Sequence, residues 1–161
     1  MLRFSKTLLV AAVAFYYTLV LFNNLTDYES NYAFVRHVML MDSTFPGNHG
    51  MWRAIHPLWM QAVFYDAIIL WEAATMLLLW AGAIKLLRAV GKPGTAFQEA
   101  KTLAIGGLTA SLLMWLVAFL SIGDEWFLMW QSRTWNGQEA ASRMFLVVGV
   151  VFLLVAMPEG E

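Results

Sequence analysis

PLWMQAVFYDAIILWEAATMLLLWAGAIKLL, running from Pro57 to Leu87, is the stretch that decides the fold. It carries only three charged side chains, Asp66, Glu72 and Lys85. A helix of about 20 predominantly apolar residues crosses the hydrocarbon core of a bilayer. The stretch is therefore long enough to span, with length left over for tilt. Working outward, Lys6–Asn24, Thr102–Ile122 and Ala140–Met157 have the same character. The last is the shortest. Arg143 near its start can snorkel to the interface, and Pro158 ends it. The expected fold is all-α, a polytopic membrane four-helix bundle. It forms one membrane domain over 1–161, with spans at about 6–24, 57–87, 102–122 and 140–157.

Composition agrees. Apolar residues make up 60% of the 161 positions and charged residues 13%, against about 25% charged in a soluble domain. So small a chain has too few polar side chains to wet its own surface. Net charge is −1 with no basic stripe, which argues against a nucleic-acid partner. Cysteine is absent, which excludes disulfides, thiolate nucleophiles and iron–sulfur clusters. Arg3, Lys6 and the apolar run Thr7–Phe22 would also suit a signal peptide. The run leads into Asn23-Asn24-Leu25 without a small-x-small cleavage site, so it is read as a retained first span.

Basic residues set the orientation. Arg3, Lys6, Lys85, Arg88, Lys92 and Lys101 fall at the N-terminus and around the second loop, with Gly91-Lys92-Pro93-Gly94 as its turn. Arg36, Arg53, Arg133 and Arg143 fall in the other two loops. Both termini are expected on the cytoplasmic side. In the first outer loop, Thr26 and Glu29 have the spacing of a capping box. Tyr28, Tyr32, Val35 and Met39 then recur at helical spacing, predicting a short amphipathic interfacial helix along the membrane surface or across the bundle mouth. Phe45-Pro46-Gly47-Asn48 makes a turn, and Pro57 suits the first position of the second span. Trp126, Phe127, Trp130 and Trp135 in the second outer loop suit the headgroup region.

Glu72 is the side chain most able to carry chemistry. It lies near the bilayer midplane, where a lipid-facing carboxylate costs at least a few kcal/mol. Gln61, Tyr65, Glu72 and Thr75 fall within about 40° of one line on a helical wheel, a polar stripe down one face. Functionally, this is a proton-accepting or quinone-facing carboxylate. Structurally, it is an interhelical hydrogen bond to a partner such as Thr109 or Ser111 on the third span. Asp66, two turns nearer the outer surface, points elsewhere and is expected to reach interfacial water or cap a neighbour.

His37, His49 and His56 all sit in the first outer loop. Their spacing matches no zinc-ligand motif, so no metal is expected. No histidine lies in a span to hold haem. Gly106, Gly107, Ala110 and Ser111 place small residues on the third span, where they let two helix backbones approach.

The segments Asn24-Leu25-Thr26-Asp27-Tyr28, Ser30-Asn31, Phe34-Val35, His37-Val38 and Met41-Asp42-Ser43-Thr44-Phe45-Pro46 resemble the hallmark of a bacterial family of small integral membrane proteins, a domain of unknown function. The resemblance also takes in the four spans and Met51-Trp52-Arg53-Ala54-Ile55 before the second. It implies a bacterial inner-membrane protein and brings no activity. It also draws weight to the outer-loop positions Asn24, Thr26, Asp27, Tyr28, Asn31, His37, Asp42 and Pro46.

Two functions follow as expectations. The first is a non-catalytic accessory or structural subunit of a larger inner-membrane complex, with lipid and other integral membrane subunits as partners and no cofactor. Its grounds are the small-residue face, the surface helix and the lack of enzyme signatures. The alternative is a quinone-, proton- or small-molecule-binding protein that uses Glu72, with Tyr65 and Gln61, inside the bundle.

Overall fold

The computed structural model describes residues 1–159. Over these residues the chain is helical without strands, and four helices are long and apolar enough to cross a membrane. The first, α1, spans Leu2–Thr26. It runs about 38 Å at 1.5 Å per residue. Asp27 (φ −133°, ψ 59°) is a one-residue corner from which α2, Tyr28–Leu40, starts at once. The expected capping box does not form. The chain stays helical through Thr26, whose hydroxyl donates to Phe22 O at 2.8 Å, and no side chain caps α2.

Met41 ends α2 in the left-handed region at φ 54° while its side chain is buried. In the following turn Gly47 has φ +79°, and Asn48 N–H donates to Phe45 O at 3.2 Å. Proline second and a positive-φ glycine third is the arrangement of a type II turn. The second span, α3, covers Leu58–Ala89, with Pro57 just outside it as N-cap. Its 32 residues reach about 48 Å, longer than the roughly 30 Å hydrocarbon core.

The third span is longer than its apolar run suggests. It begins directly after the Pro93 turn as α4, Gly94–Ala100, and continues as α5, Thr102–Leu113. It then widens into a π-helical segment, Met114–Trp126, the whole forming one span, Gly94–Trp126. Phe127 N–H donating to Ile122 O at 2.9 Å shows the wider i to i−5 backbone winding. The fourth span, α6, covers Gln138–Ala156.

One apolar core joins the spans. Val10, Ala14 and Tyr17 of α1 meet Leu79 and Leu86 of α3, Leu108 of α5, and Val148 and Val155 of α6. Glycines set the closest approach. A Cβ on Gly82 would stand 2.5 Å from Ala104 N, and one on Gly107 2.8 Å from Leu79 Cγ. Gly106, by contrast, faces open space. Ala110 O accepts from Trp71 Nε1 at 3.1 Å, and Ser111 Oγ meets Tyr17 OH at 2.7 Å.

The two ends of the bundle differ. At one, the loops close on each other as a cap. Val38, Met39, Met41, Phe127 and Met129 bury a second apolar cluster there, and Ser43 Oγ donates to Ser132 Oγ at 2.8 Å. Trp135 stacks on His37 at 4.4 Å, while Trp126 and Trp130 stay exposed. At the other, basic end, Lys6 and Lys101 are buried among the ends of α1, α4 and α6. Both reach the Glu159 carboxylate, at 2.7 and 2.6 Å, and Arg3 adds a third contact at 3.2 Å.

Candidate functional site

Spacings of four, seven and three residues keep Gln61, Tyr65, Glu72 and Thr75 on one face of α3. All four are buried, Glu72 at 6% exposure. What meets Glu72 is Asn24, from the last turns of α1, and not a hydroxyl of the third span. Asn24 Nδ2 donates to Glu72 Oε2 at 2.5 Å. Of the expected partners, Thr109 is exposed and Ser111 is engaged with Tyr17. Asn24 Oδ1 accepts in turn from Asn31 Nδ2 of α2 at 2.6 Å and Tyr65 OH at 3.2 Å. One amide thus links three helices to one carboxylate.

α2 is fastened over this network by aromatic packing. Tyr28 and Tyr65 rings meet edge-on at 4.7 Å, and Tyr28 and Tyr32 stack at 5.7 Å. Tyr28 OH donates to Asp66 Oδ1 at 2.9 Å, so Asp66 anchors the strap, 120° or so around the helix from Glu72. Burial, and next the Asp66 carboxylate, push the Tyr28 hydroxyl up to about 12, so it stays a donor.

The network borders a cavity of about 340 Å³ reached by Asn23, Asn31, Tyr65, Glu72, Trp115 and Ala140. Glu72 Oε2 is held by Asn24, whereas Glu72 Oε1 takes no hydrogen bond among the described residues and is not sealed in the packing. Glu72 itself lines the cavity. A second cavity of about 250 Å³, walled by apolar and aromatic side chains including Phe64, Trp71 and Phe127, adjoins it. The two share Phe34, Val35, Ile68 and Phe119 as walls. Trp115, Ala118, Phe119 and Ile122 come from the π-helical segment. Its wider winding is a feature often found at functional sites.

The model of the family described as "Predicted small integral membrane protein (DUF2165)" matches residues 2–158. The chain belongs to this family. No curated protein and no solved structure matches it. The DUF2165 description agrees with four membrane-crossing helices and assigns no reaction.

Within this DUF2165 chain the outer-loop residues divide. Asn24, Tyr28 and Asn31 gather around Glu72, Tyr65 and Asp66. Thr26 and Asp27 form the corner between α1 and α2. His37 and Asp42 pair with each other at 2.6 Å in the cap, away from the cavity, and Pro46 stands in the turn beyond. Among the described residues no group of three His, Asp or Glu is placed to hold a metal ion. Gln61 spends its amide on Ile55 O at 2.7 Å, and Thr75 Oγ1 is buried without a partner among the described residues.

Sequence reasoning did not find the cluster of Lys6, Lys101 and Glu159, nor the Gln138 amide donating to Asp124 Oδ2 at 2.8 Å. The one available signal was Lys101 directly before the apolar run Thr102–Ile122.

Proposed function

We propose that the protein binds a small lipid-soluble molecule inside its helix bundle, with the polar part at Glu72 and Asn24 and the apolar part in the adjoining aromatic cavity. The observation that carries this reading is Glu72, one of whose oxygens is unengaged among the described residues, lining a cavity of about 340 Å³. A carboxylate kept at membrane depth is a functional-site hypothesis by default. A cavity with a few convergent polar groups and apolar walls is where small molecules bind. Glu72 can accept or pass a proton there, and a quinone ring is one cofactor whose size the site admits. The accessory-subunit reading, grounded in the small-residue face and the surface helix, would also use outward-facing apolar side chains such as Leu146, Val150 and Leu153, which lipid covers equally well. We place the protein in the bacterial inner membrane with the basic end and both termini cytoplasmic, following the distribution of Lys and Arg.

The test is native mass spectrometry of the tagged protein extracted from its own membranes in mild detergent. The expected result is one stoichiometric small molecule on the chain, lost in Ile68→Trp, which fills the wall shared by the two cavities. Stoichiometric protein subunits around a chain with an empty cavity would overturn this reading and restore the accessory one.

A further inference from the structure

We propose that the molecule taken at Glu72 is a lipophilic organic cation, an inference that rests on the binding reading above and names its ligand class. Three carboxylates are largely buried among the described residues: Asp124, which takes the Gln138 amide and lines neither cavity, and Glu72 and Glu159, which are treated in opposite ways. Glu159, at the basic end, is met by Lys6, Lys101 and Arg3. Glu72, in the middle of α3, makes no ion pair among the described residues and has only the Asn24 amide. In low dielectric a carboxylate is retained either with a proton or with a counter-charge. The Glu159 cluster supplies its counter-charge from the protein. The Glu72 cavity leaves that place open, with one oxygen of its lining carboxylate unengaged among the described residues.

The walls select the same class. No Lys, Arg or His lines either cavity, so a cation entering meets no like charge. Aromatic faces attract cations, worth about 0.5–2 kcal/mol each and most when desolvated. Tyr65, Trp115 and Phe119 offer such rings beside Glu72, with Trp71 and Phe64 beyond. An anion would find the carboxylate and no basic partner. A neutral para-quinone has two carbonyls to satisfy. One could reach the Asn24 side, but the other would lie among the apolar walls of the second cavity, where an unmet acceptor costs a few kcal/mol. A single compact positive charge with apolar substituents is satisfied throughout.

Three probes of related shape decide the matter by equilibrium dialysis against the purified full chain in mild detergent. They are tetraphenylphosphonium, the oppositely charged tetraphenylborate and the neutral triphenylphosphine oxide. The expected result is saturable binding of the phosphonium at one per chain and none of the borate. Glu72→Gln should weaken it by about tenfold or more, the scale of losing one desolvated charge partner. Phe119→Ala should weaken it less. Equal binding of the phosphonium by wild type and a folded Glu72→Gln overturns the inference, as does equal binding of the borate. Should Glu72→Gln not fold, the wild-type comparison still decides. Preference for the neutral oxide overturns the cation and leaves the binding reading standing. Failure of all three probes, with an empty cavity in the mass spectrum, overturns both.

Discussion

Asn24 and Glu72 meet across two spans at 2.5 Å, with the amide at the end of α1 donating into the middle of α3. Because Asn24 also accepts from Asn31 and Tyr65, this one side chain ties the cap helix and two spans to the buried carboxylate. Hydrogen bonds to charged groups are the stronger kind, and removing one partner leaves several groups unsatisfied.

Asn24→Leu should therefore destabilise the bundle by about 1–3 kcal/mol, the cost of orphaned buried polar groups. Reversible unfolding in mixed detergent measures it. Combining Asn24→Leu with Glu72→Leu should recover part of the loss, since an apolar pair leaves no carboxylate stranded. A double variant as unstable as the sum of the singles would contradict this account.

Tyr28→Phe removes the donor to Asp66 and keeps the ring against Tyr65. We expect a loss of about 1 kcal/mol confined to the strap. Amide exchange should accelerate in Tyr28–Leu40 while α6 is unchanged. Acceleration spread evenly over both helices would argue against α2 as a separately fastened element.

Gly82→Ala places a methyl 2.5 Å from the backbone of Ala104. Backbone cannot give as a side chain can, so α3 and α5 must separate, at about 1–3 kcal/mol. Gly106→Ala meets nothing within 4 Å. It should be neutral or stabilising by up to about 1 kcal/mol through helix propensity. Melting temperatures of the two variants should move in opposite directions or, at the least, differ clearly.

The Glu159 carboxyl is pulled upward by its burial, but the Lys101 and Lys6 ammonium groups outweigh this and hold it down at about 2, from an ordinary 4.5. A depressed folded value means the contribution is fully present above about 4.5 and is lost as pH falls toward 2. Glu159→Gln should be less stable than wild type at neutral pH, and the gap should close across that window. Thermal melts from pH 7 to 2 in detergent test it; a gap independent of pH would show that the ion cluster is not the source.

The four spans were legible because length and apolar content suffice to identify a helix that needs no water. The stripe of Gln61, Tyr65, Glu72 and Thr75 was legible because helical period alone puts them on one face. Its partner was not. Whether Asn24 sits inside a helix or begins a loop depends on where α1 stops, and Thr26 with Glu29 carries the local signature of a cap although the chain turns one residue later, at Asp27. The third span was drawn short for a related reason. Lys101, Asp124 and Glu125 flank the apolar run Thr102–Ile122 and mark its ends by hydropathy, yet Lys101 and Asp124 are buried against partners distant in sequence. Gly106 and Gly107 share one small-residue motif, and only the packing tells which of them faces Leu79.

The convergence of Lys6, Lys101 and Glu159 carries a consequence for biosynthesis. Residues of the first and third spans meet there with Glu159, just past the fourth, so the cluster cannot assemble until the ribosome has delivered all of them. Because Glu159 follows the fourth span directly, docking of that span is the step that completes the cluster.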